Sequence, residues 1–318
     1  MEVSDFMEKH FKHFNARETL DAAIGWKDLL EGGGKMFLAM GGAMSTAELG
    51  ISLAEMIRQD KVHCICTTGA NLEEDVFNLL CNSEYEFVPK YRDLSLEDEK
   101  GLRDRGFNRV TDTCIPEAAM FYIGEMILRM WVEAIEKKES YFPYEYIYRL
   151  LDEPEMQERF DIDPQNSWVY AAKEKELMIL TPGWEDSTLA NRYCAEVLNK
   201  TLKGHGAVRY GTEQMQVFAE WYQQNTPVGF FQIGGGIAGD FPICAVPMLI
   251  QDVKKKDTPY WAYFAQIGDS VTSYGSYSGA IPNEKITWHK LDVDTPKYMI
   301  NSDASIVAPL IFAYVLGE

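Results

Sequence analysis

The sequence predicts an α/β protein built on a doubly wound, mostly parallel, Rossmann-like sheet with helices on both faces. Short apolar runs alternate with amphipathic helical stretches. Glycine-rich turns stand where a strand hands over to a helix. The chain has 318 residues, 46% of them hydrophobic and 13% aromatic, enough to cover such a sheet on both sides. No repeat or low-complexity tract divides it, so a single domain is expected over residues 1–318.

Asn15 reads as the N-cap of a helix over Ala16–Leu30, closed by Gly32, Gly33 and Gly34. Lys35–Met40 is a buried strand, Gly41 and Gly42 turn the chain, and a helix follows to Arg58. Val62–Cys66 is the next strand, Thr67–Asn71 a turn, and Leu72–Leu80 a helix. Residues 88–112 are highly charged and read as an insertion that leaves the sheet. Pro116–Lys138 carries a long amphipathic helix. Residues 139–168, aromatic, acidic and proline-containing, suit an irregular connector. Strand–helix alternation resumes with the Leu177–Leu180 strand and helices over Ser187–Leu202 and Glu213–Gln224. The Val228–Ile233 strand leads through Gly234-Gly235-Gly236 into a helix to Asp252. Trp261–Ile267 is a strand, a Ser/Gly/Tyr loop follows, and Asp303–Leu316 is the last helix.

Lys and Arg total 30 against 49 Asp and Glu, a net charge of −19. That balance speaks against nucleic acid as a partner, because duplex affinity comes mainly from cations on phosphates. It favours cationic ligands. Cys64, Cys66, Cys81, Cys114, Cys194 and Cys244 sit in apolar surroundings without a disulfide or metal spacing, so they read as reduced core thiols. Five scattered histidines add no metal motif. No run reaches about 18 apolar residues and no leader stands at the N-terminus, which places the chain in the cytoplasm without a membrane span.

Four segments could carry chemistry. Gly234–Gly239 fits G-x-G-x-x-G directly after a strand and before a helix, where missing β-carbons and free N–H groups suit a phosphate. A purely structural turn fits it about equally well, since the acidic residues about 20 positions on, Asp252 and Asp257, come before the following strand and not at its end. Thr67–Asp75 (TTGANLEED) ends a strand with three carboxylates. Glu73 or Glu74 could grip a ribose, or the acids could simply favour the helix dipole. Thr181–Ser187 (TPGWEDS) offers Trp184, Glu185 and Asp186 to an ammonium ligand, or Asp186 as a helix cap. Glu284–Lys290 (EKITWHK) offers a lysine that could form an imine once desolvated, a tryptophan face for a cation, and Glu284 and His289 to move protons.

FLAMGGAMSTAELG (37–50), TTGANLEED (67–75), FNRVTD (107–112), GGGIAGD (234–240), SGAIPNEKITWHK (278–290) and SDASIVAPL (302–310) together resemble the deoxyhypusine synthase family over nearly the whole chain, above all its deoxyhypusine synthase-like branch. The resemblance implies an NAD-dependent transferase that moves the aminobutyl group of spermidine, held as an imine on a lysine, to an acceptor amine. Lys290 falls on the imine-forming lysine, with Trp288, Glu284 and Ser278 on neighbouring substrate positions. Thr68, Gly69, Ala70, Glu74, Gly235, Gly236, Asp303 and Ala304 fall on NAD-contacting positions. The family is typically homotetrameric, with sites at subunit interfaces.

Three departures stand out. Asp240 occupies the position of a proton-shuttling histidine, and Tyr277 that of a substrate-binding aspartate. Pro182 stands where a ligand-binding aspartate is expected, with Glu185 and Asp186 close enough in sequence to compensate. The resemblance therefore leaves three readings: transfer to a protein lysine, synthesis of a small polyamine of homospermidine type from a diamine, or a non-catalytic NAD- or polyamine-binding protein.

Overall fold

Each apolar run that ends in a glycine or small-residue turn becomes a parallel strand of one sheet. The computed structural model describes residues 1–272 and 275–318. In chain order the elements are α1 (Val3–His10), α2 (Phe14–Glu31), β1 (Lys35–Met40), α3 (Gly50–Arg58), β2 (Cys64–Thr67), α4 (Gly69–Cys81), β3 (Glu86–Phe87), α5 (Leu96–Asp104), β4 (Phe107–Val110), β5 (Thr113–Pro116), α6 (Glu117–Lys137), α7 (Pro143–Asp152), α8 (Pro154–Gln157), α9 (Trp168–Glu174), β6 (Ile179–Leu180), α10 (Thr188–Leu198), α11 (Gly211–Asn225), β7 (Val228–Ile233), α12 (Ile237–Ile243), α13 (Ala245–Pro247), β8 (Tyr263–Gly268), α14 (Glu284–Thr287), β9 (Lys297–Asn301) and α15 (Ala304–Leu316).

The main sheet has six strands in the order β6-β2-β1-β7-β8-β9, all parallel. Chain order therefore runs outward from β1 to one edge, then returns and runs outward from β7 to the other. That is the Rossmann arrangement, and the reversal between β1 and β7 marks the crevice where ligands bind in such sheets. Alternation along the strands splits the apolar side chains between two clusters. Met36, Leu38, Met40, Ile65, Phe231 and Ile267 join one cluster. Phe37, Ala39, Cys64, Cys66, Phe230 and Phe264 join the other. Each face is covered, so the strands are apolar on both sides. The six cysteines are free, and Cys64 and Cys66 share one face of β2.

Several expectations change in detail. Asn15 does not cap α2: His13 is the N-cap, and Asn15 clamps the edge strand β9 through the carbonyl and N–H of Asn301. Helix α3 starts only at Gly50. Ser45 upstream is held by the Asn71 side chain and carbonyl, and Glu48 is left-handed at φ 54°, which breaks the helical run. The helix predicted to reach Asp252 is interrupted at Pro242 and Pro247, where a missing N–H ends each run.

Residues 139–168 are helical in part: α7, α8 and a short turn at Pro164–Asn166 alternate with non-helical stretches at 139–142 and 158–163. Pro143 opens α7, and Tyr146, Ile147, Leu150 and Leu151 form its buried stripe. The charged insertion is built around α5, whose Ser95–Asp98 capping box starts it. It also carries β3, β4 and β5, which form a separate antiparallel sheet. No helix among the described residues is long and apolar enough to cross a membrane.

Candidate active site

Five of the six connections that leave the C-terminal ends of the main-sheet strands carry candidate site residues. Parallel strands force this: β2 leads to Thr68, β6 to Trp184, β7 to Gly234, β8 to Tyr277 and β9 to Asp303. At the reversal between β1 and β7 the turns touch. A β-carbon on Gly41 would lie 2.9 Å from the carbonyl oxygen of Gly235, so bare backbone is required there.

A cavity of about 610 Å³ opens beside α12, lined by Asp240, Cys244, Asp252, Tyr277, Glu284, Lys285, Trp288 and Lys290 among others. Lys290 is buried, and its Nζ lies 3.0 Å from Asp240 Oδ1 and 5.1 Å from the centre of the Tyr277 ring. Trp288 is 68% exposed and Glu284 is also exposed. The cavity thus combines an amine, carboxylates and two aromatic faces, the groups that bind and react with an organic cation.

Local chemistry fixes this arrangement. Gln232 and Gln266 are buried and paired in register on β7 and β8. Tyr277 donates its hydroxyl to Gln232 Oε1 at 3.0 Å, and Gln266 Nε2 donates to the Ser278 carbonyl at 3.0 Å. The two glutamines anchor the 276–280 segment against the sheet. Sequence reasoning missed them; a glutamine inside an otherwise apolar strand was the available signal.

The chain then closes α14 with a left-handed residue, His289 at φ 55°. The Lys290 N–H donates to the Lys285 carbonyl and the His289 N–H to that of Ile286, which is a Schellman ending. That ending brings the third-last helical residue and the second residue beyond the cap together. Here both are lysines, and both line the cavity. Lys285 also escaped the sequence reading. It is buried, and its Nζ has no hydrogen-bond partner among the described residues. Burial, then the nearby charge of Lys290, brings it down to about 8.

The other predicted residues are placed as follows. Ser278 accepts from the Gly236 N–H at 3.2 Å, and a β-carbon on Gly235 would collide with its hydroxyl. Ser278 therefore locks the triple-glycine turn. Thr68 caps α4 by accepting from the Asn71 N–H, and Gly69 is tight against Ser187 and Trp184. Ala70 and Ala304 are half-buried in the first turns of α4 and α15. Glu74 accepts a 2.5 Å hydrogen bond from Thr46, and burial pushes its carboxyl up.

Glu73 is buried and receives the N–H groups of Thr188 and Leu189, at the start of α10, at 2.8 and 2.9 Å. Asp303 caps α15 through the Ser305 N–H. Trp184 is 5% exposed and sits among Trp131, Tyr193 and Tyr210, outside the cavity. Glu185 and Asp186 are exposed beside it, and Ser187, not Asp186, caps α10. His289 faces the hydroxyl of Tyr260. Among the described residues no group of three His, Cys, Asp or Glu side chains is placed to hold a metal ion.

Known proteins agree with this architecture. The sequence model of the family described as deoxyhypusine synthase matches residues 4–315. A probable deoxyhypusine synthase of Archaeoglobus fulgidus is 24% identical over 305 residues, covering 96% of this chain and 90% of its own length. A deoxyhypusine synthase-like protein of Nostoc punctiforme is 25% identical over 328 residues, 99% of this chain and 80% of its own. A crystal structure from Entamoeba histolytica carrying a deoxyhypusine synthase name superimposes with a TM-score of 0.60 at 12% identity, over 100% of this chain and 94% of that one, a likeness of fold. The family match spans nearly the whole chain, so this protein belongs to the deoxyhypusine synthase family.

Proposed function

We propose that the protein is an NAD-dependent transferase. It moves an aminobutyl group from spermidine or a related polyamine to an acceptor amine, through an imine on Lys290. One observation carries the reading: the amine of Lys290 is buried 3.0 Å from a carboxylate, in a cavity walled by Tyr277, Trp288 and Glu284. The reversal between β1 and β7, where the bare Gly41 and Gly235 backbones meet, is the position at which a sheet of this order takes a dinucleotide. Thr68, Gly69, Ala70, Asp303 and Ala304 stand at helix starts along the same edge, and Glu74 follows one turn into α4.

NAD supplies a hydride acceptor for the carbon beside the donor's secondary amine and returns that hydride at the end. Trp288 and Tyr277 offer faces to the donor's cationic ends, and Glu284 offers a carboxylate. Asp240 holds the Lys290 amine in the cavity until a substrate cation competes for its carboxylate. Lys290 Nζ, once uncharged, adds to the iminium carbon of the oxidised donor; the carbon–nitrogen bond to the departing diamine breaks, and that amine leaves with the proton. The acceptor amine then displaces Lys290 from the imine in the same way. Asp240 is the carboxylate placed to move protons at Nζ.

The acceptor is proposed as a protein lysine. A small diamine is the second reading, favoured by a cavity of small-molecule size. The family's homotetramer enters the proposal too, since the exposed Trp288 is apolar surface that a second subunit would cover. The test is borohydride trapping. Protein given NAD and spermidine should yield a reduced adduct on Lys290, and Lys290→Ala should yield none. An adduct elsewhere, or none with any polyamine, overturns the reading. Product analysis without borohydride, using labelled spermidine, NAD and candidate acceptors, separates the two acceptors: labelled product found only in the protein fraction excludes the diamine.

A further inference from the structure

The mechanism leaves one buried group unused. Lys285 is 2% exposed, and its Nζ stands 4.6 Å from the centre of the Tyr277 ring and 4.9 Å from that of Phe264. Lys290 Nζ faces the same Tyr277 ring at 5.1 Å. The left-handed turn at His289 fixes this pairing through the backbone, because it folds Lys290 back onto the Lys285 carbonyl. Two like charges in one cavity oppose each other, and burial screens them little. Five further ionisable groups line the cavity with the pair. Glu284 is on the same helix, Asp240 and Cys244 come from α12 and its C-terminal end, Asp252 from the segment after α13, and Tyr277 from the loop after β8. Among the described residues only Asp240 makes an ion pair here, and it pairs with Lys290. A buried ammonium left with aromatic faces alone is unfavourable unless it does something else.

We propose that Lys285 is a positioning residue for Lys290, a second cation whose charge opposes the grip of Asp240 on the Lys290 ammonium and so frees that amine for attack. The proton given up by Lys290 goes to bulk water; no electron moves and no other bond changes. A lysine beside another cation is one of the two general ways in which an enzyme obtains a nucleophilic amine near neutral pH. This rests on the reading of Lys290 as the imine-forming amine. Since burial and Lys290 bring Lys285 to about 8, the coupling operates in the range where enzymes work.

The experiment reads amine reactivity without any substrate of the proposed reaction. Protein is methylated with formaldehyde and cyanoborohydride at a series of pH values, and Lys290 is quantified by mass spectrometry. In Lys285→Met the labelling of Lys290 at pH 7, where Lys285 still carries its proton, should fall about tenfold, and the difference should fade above about pH 9. Lys285→Arg keeps the charge and should restore labelling at pH 7. Unchanged labelling at pH 7 in Lys285→Met, or an Arg variant that behaves like Met, overturns the proposal.

The unsubstituted protein provides a check that no folding defect can blur: its Lys290 labelling curve should be broadened by the second titration. A sharp single step overturns the coupling. Borohydride trapping with NAD and spermidine runs in parallel. A shifted labelling profile with no spermidine adduct sinks the proposed reaction and leaves the coupling standing. An adduct with an unshifted profile does the reverse.

Discussion

Two connections on the same edge of the sheet carry a tryptophan beside acidic residues, and the fold treats them in opposite ways. After β6, residues 181–187 turn Trp184 inward against Trp131 of α6 and Tyr193 of α10. Between β8 and β9, residues 275–290 leave Trp288 68% exposed over a cavity that holds two lysines. Composition and position at a strand end do not separate the two. What separates them is cover. Two long helices close over the first connection, whereas the second faces α12 across an open cavity and has only the four-residue α14 of its own. An aromatic–acidic segment that no helix covers has faces free to meet a ligand.

Removing the lysine amine is the hardest blow to this contrast. Lys290→Ala should lower transfer activity by about a thousandfold or more, since the amine that forms the imine is gone and Lys285 is held in a different place by the aromatic faces of Tyr277 and Phe264. Thermal stability should hold, because the substitution also relieves a buried charge. Stopped-flow or endpoint product assays measure it. Full activity would remove the reason for treating residues 275–290 as the site.

The next effect belongs to the other tryptophan. Trp184→Ala deletes a large buried ring and should cost about 3–5 kcal/mol of folding stability, read by urea unfolding. Trp288→Ala should leave unfolding unchanged and weaken spermidine binding about tenfold, as loss of a cation face would. Calorimetric titration with spermidine measures the second. If the two outcomes exchange places, the contrast between covered and open connections is wrong.

Much of the sheet was legible in the sequence, because β1, β2, β7 and β8 are apolar runs that end in small-residue turns. β9 was not. Lys297–Asn301 is an edge strand of mixed polarity whose buried partner is mainly Ile300, so no apolar run announces it. Helix α7 was hidden in the same way, because its apolar stripe is made partly of tyrosine and framed by acids. At the candidate site, the EKITWHK segment alone offered a lysine, a tryptophan and Glu284 as candidates, and only the family resemblance singled out Lys290.

Lys285 could not be named so. A lysine in a short polar stretch is ordinarily solvated, and only the backbone turn at His289 puts it beside Lys290. Ser278 shows the converse. It matches a substrate position, yet its hydroxyl accepts the Gly236 N–H and holds two connections together. Contacts across strands decide such roles, and spacing in sequence does not report them.

The smallest predicted effect lies at the opposite edge of the sheet and isolates folding from the site. His63 Nδ1 accepts the Met36 N–H at 3.1 Å, which requires an uncharged ring. Burial, then the charge of Lys35, lowers its pKa to about 4. The folded ring thus holds a proton less tightly than the unfolded one, whose value is about 6.5. The stability this contributes is complete above about pH 6.5 and is lost as pH falls toward 4. Half-burial limits the change to about 1 kcal/mol. His63→Gln keeps an acceptor and cannot titrate, so urea unfolding at a series of pH values should show a flatter acid limb. Lys290 labelling should keep its wild-type profile in the same variant, since that coupling acts near pH 8 and at the other end of the strands. A His63→Gln variant whose acid limb is as steep as wild type would mean that acid lability arises elsewhere, with the carboxylates of the open edge the next groups to examine.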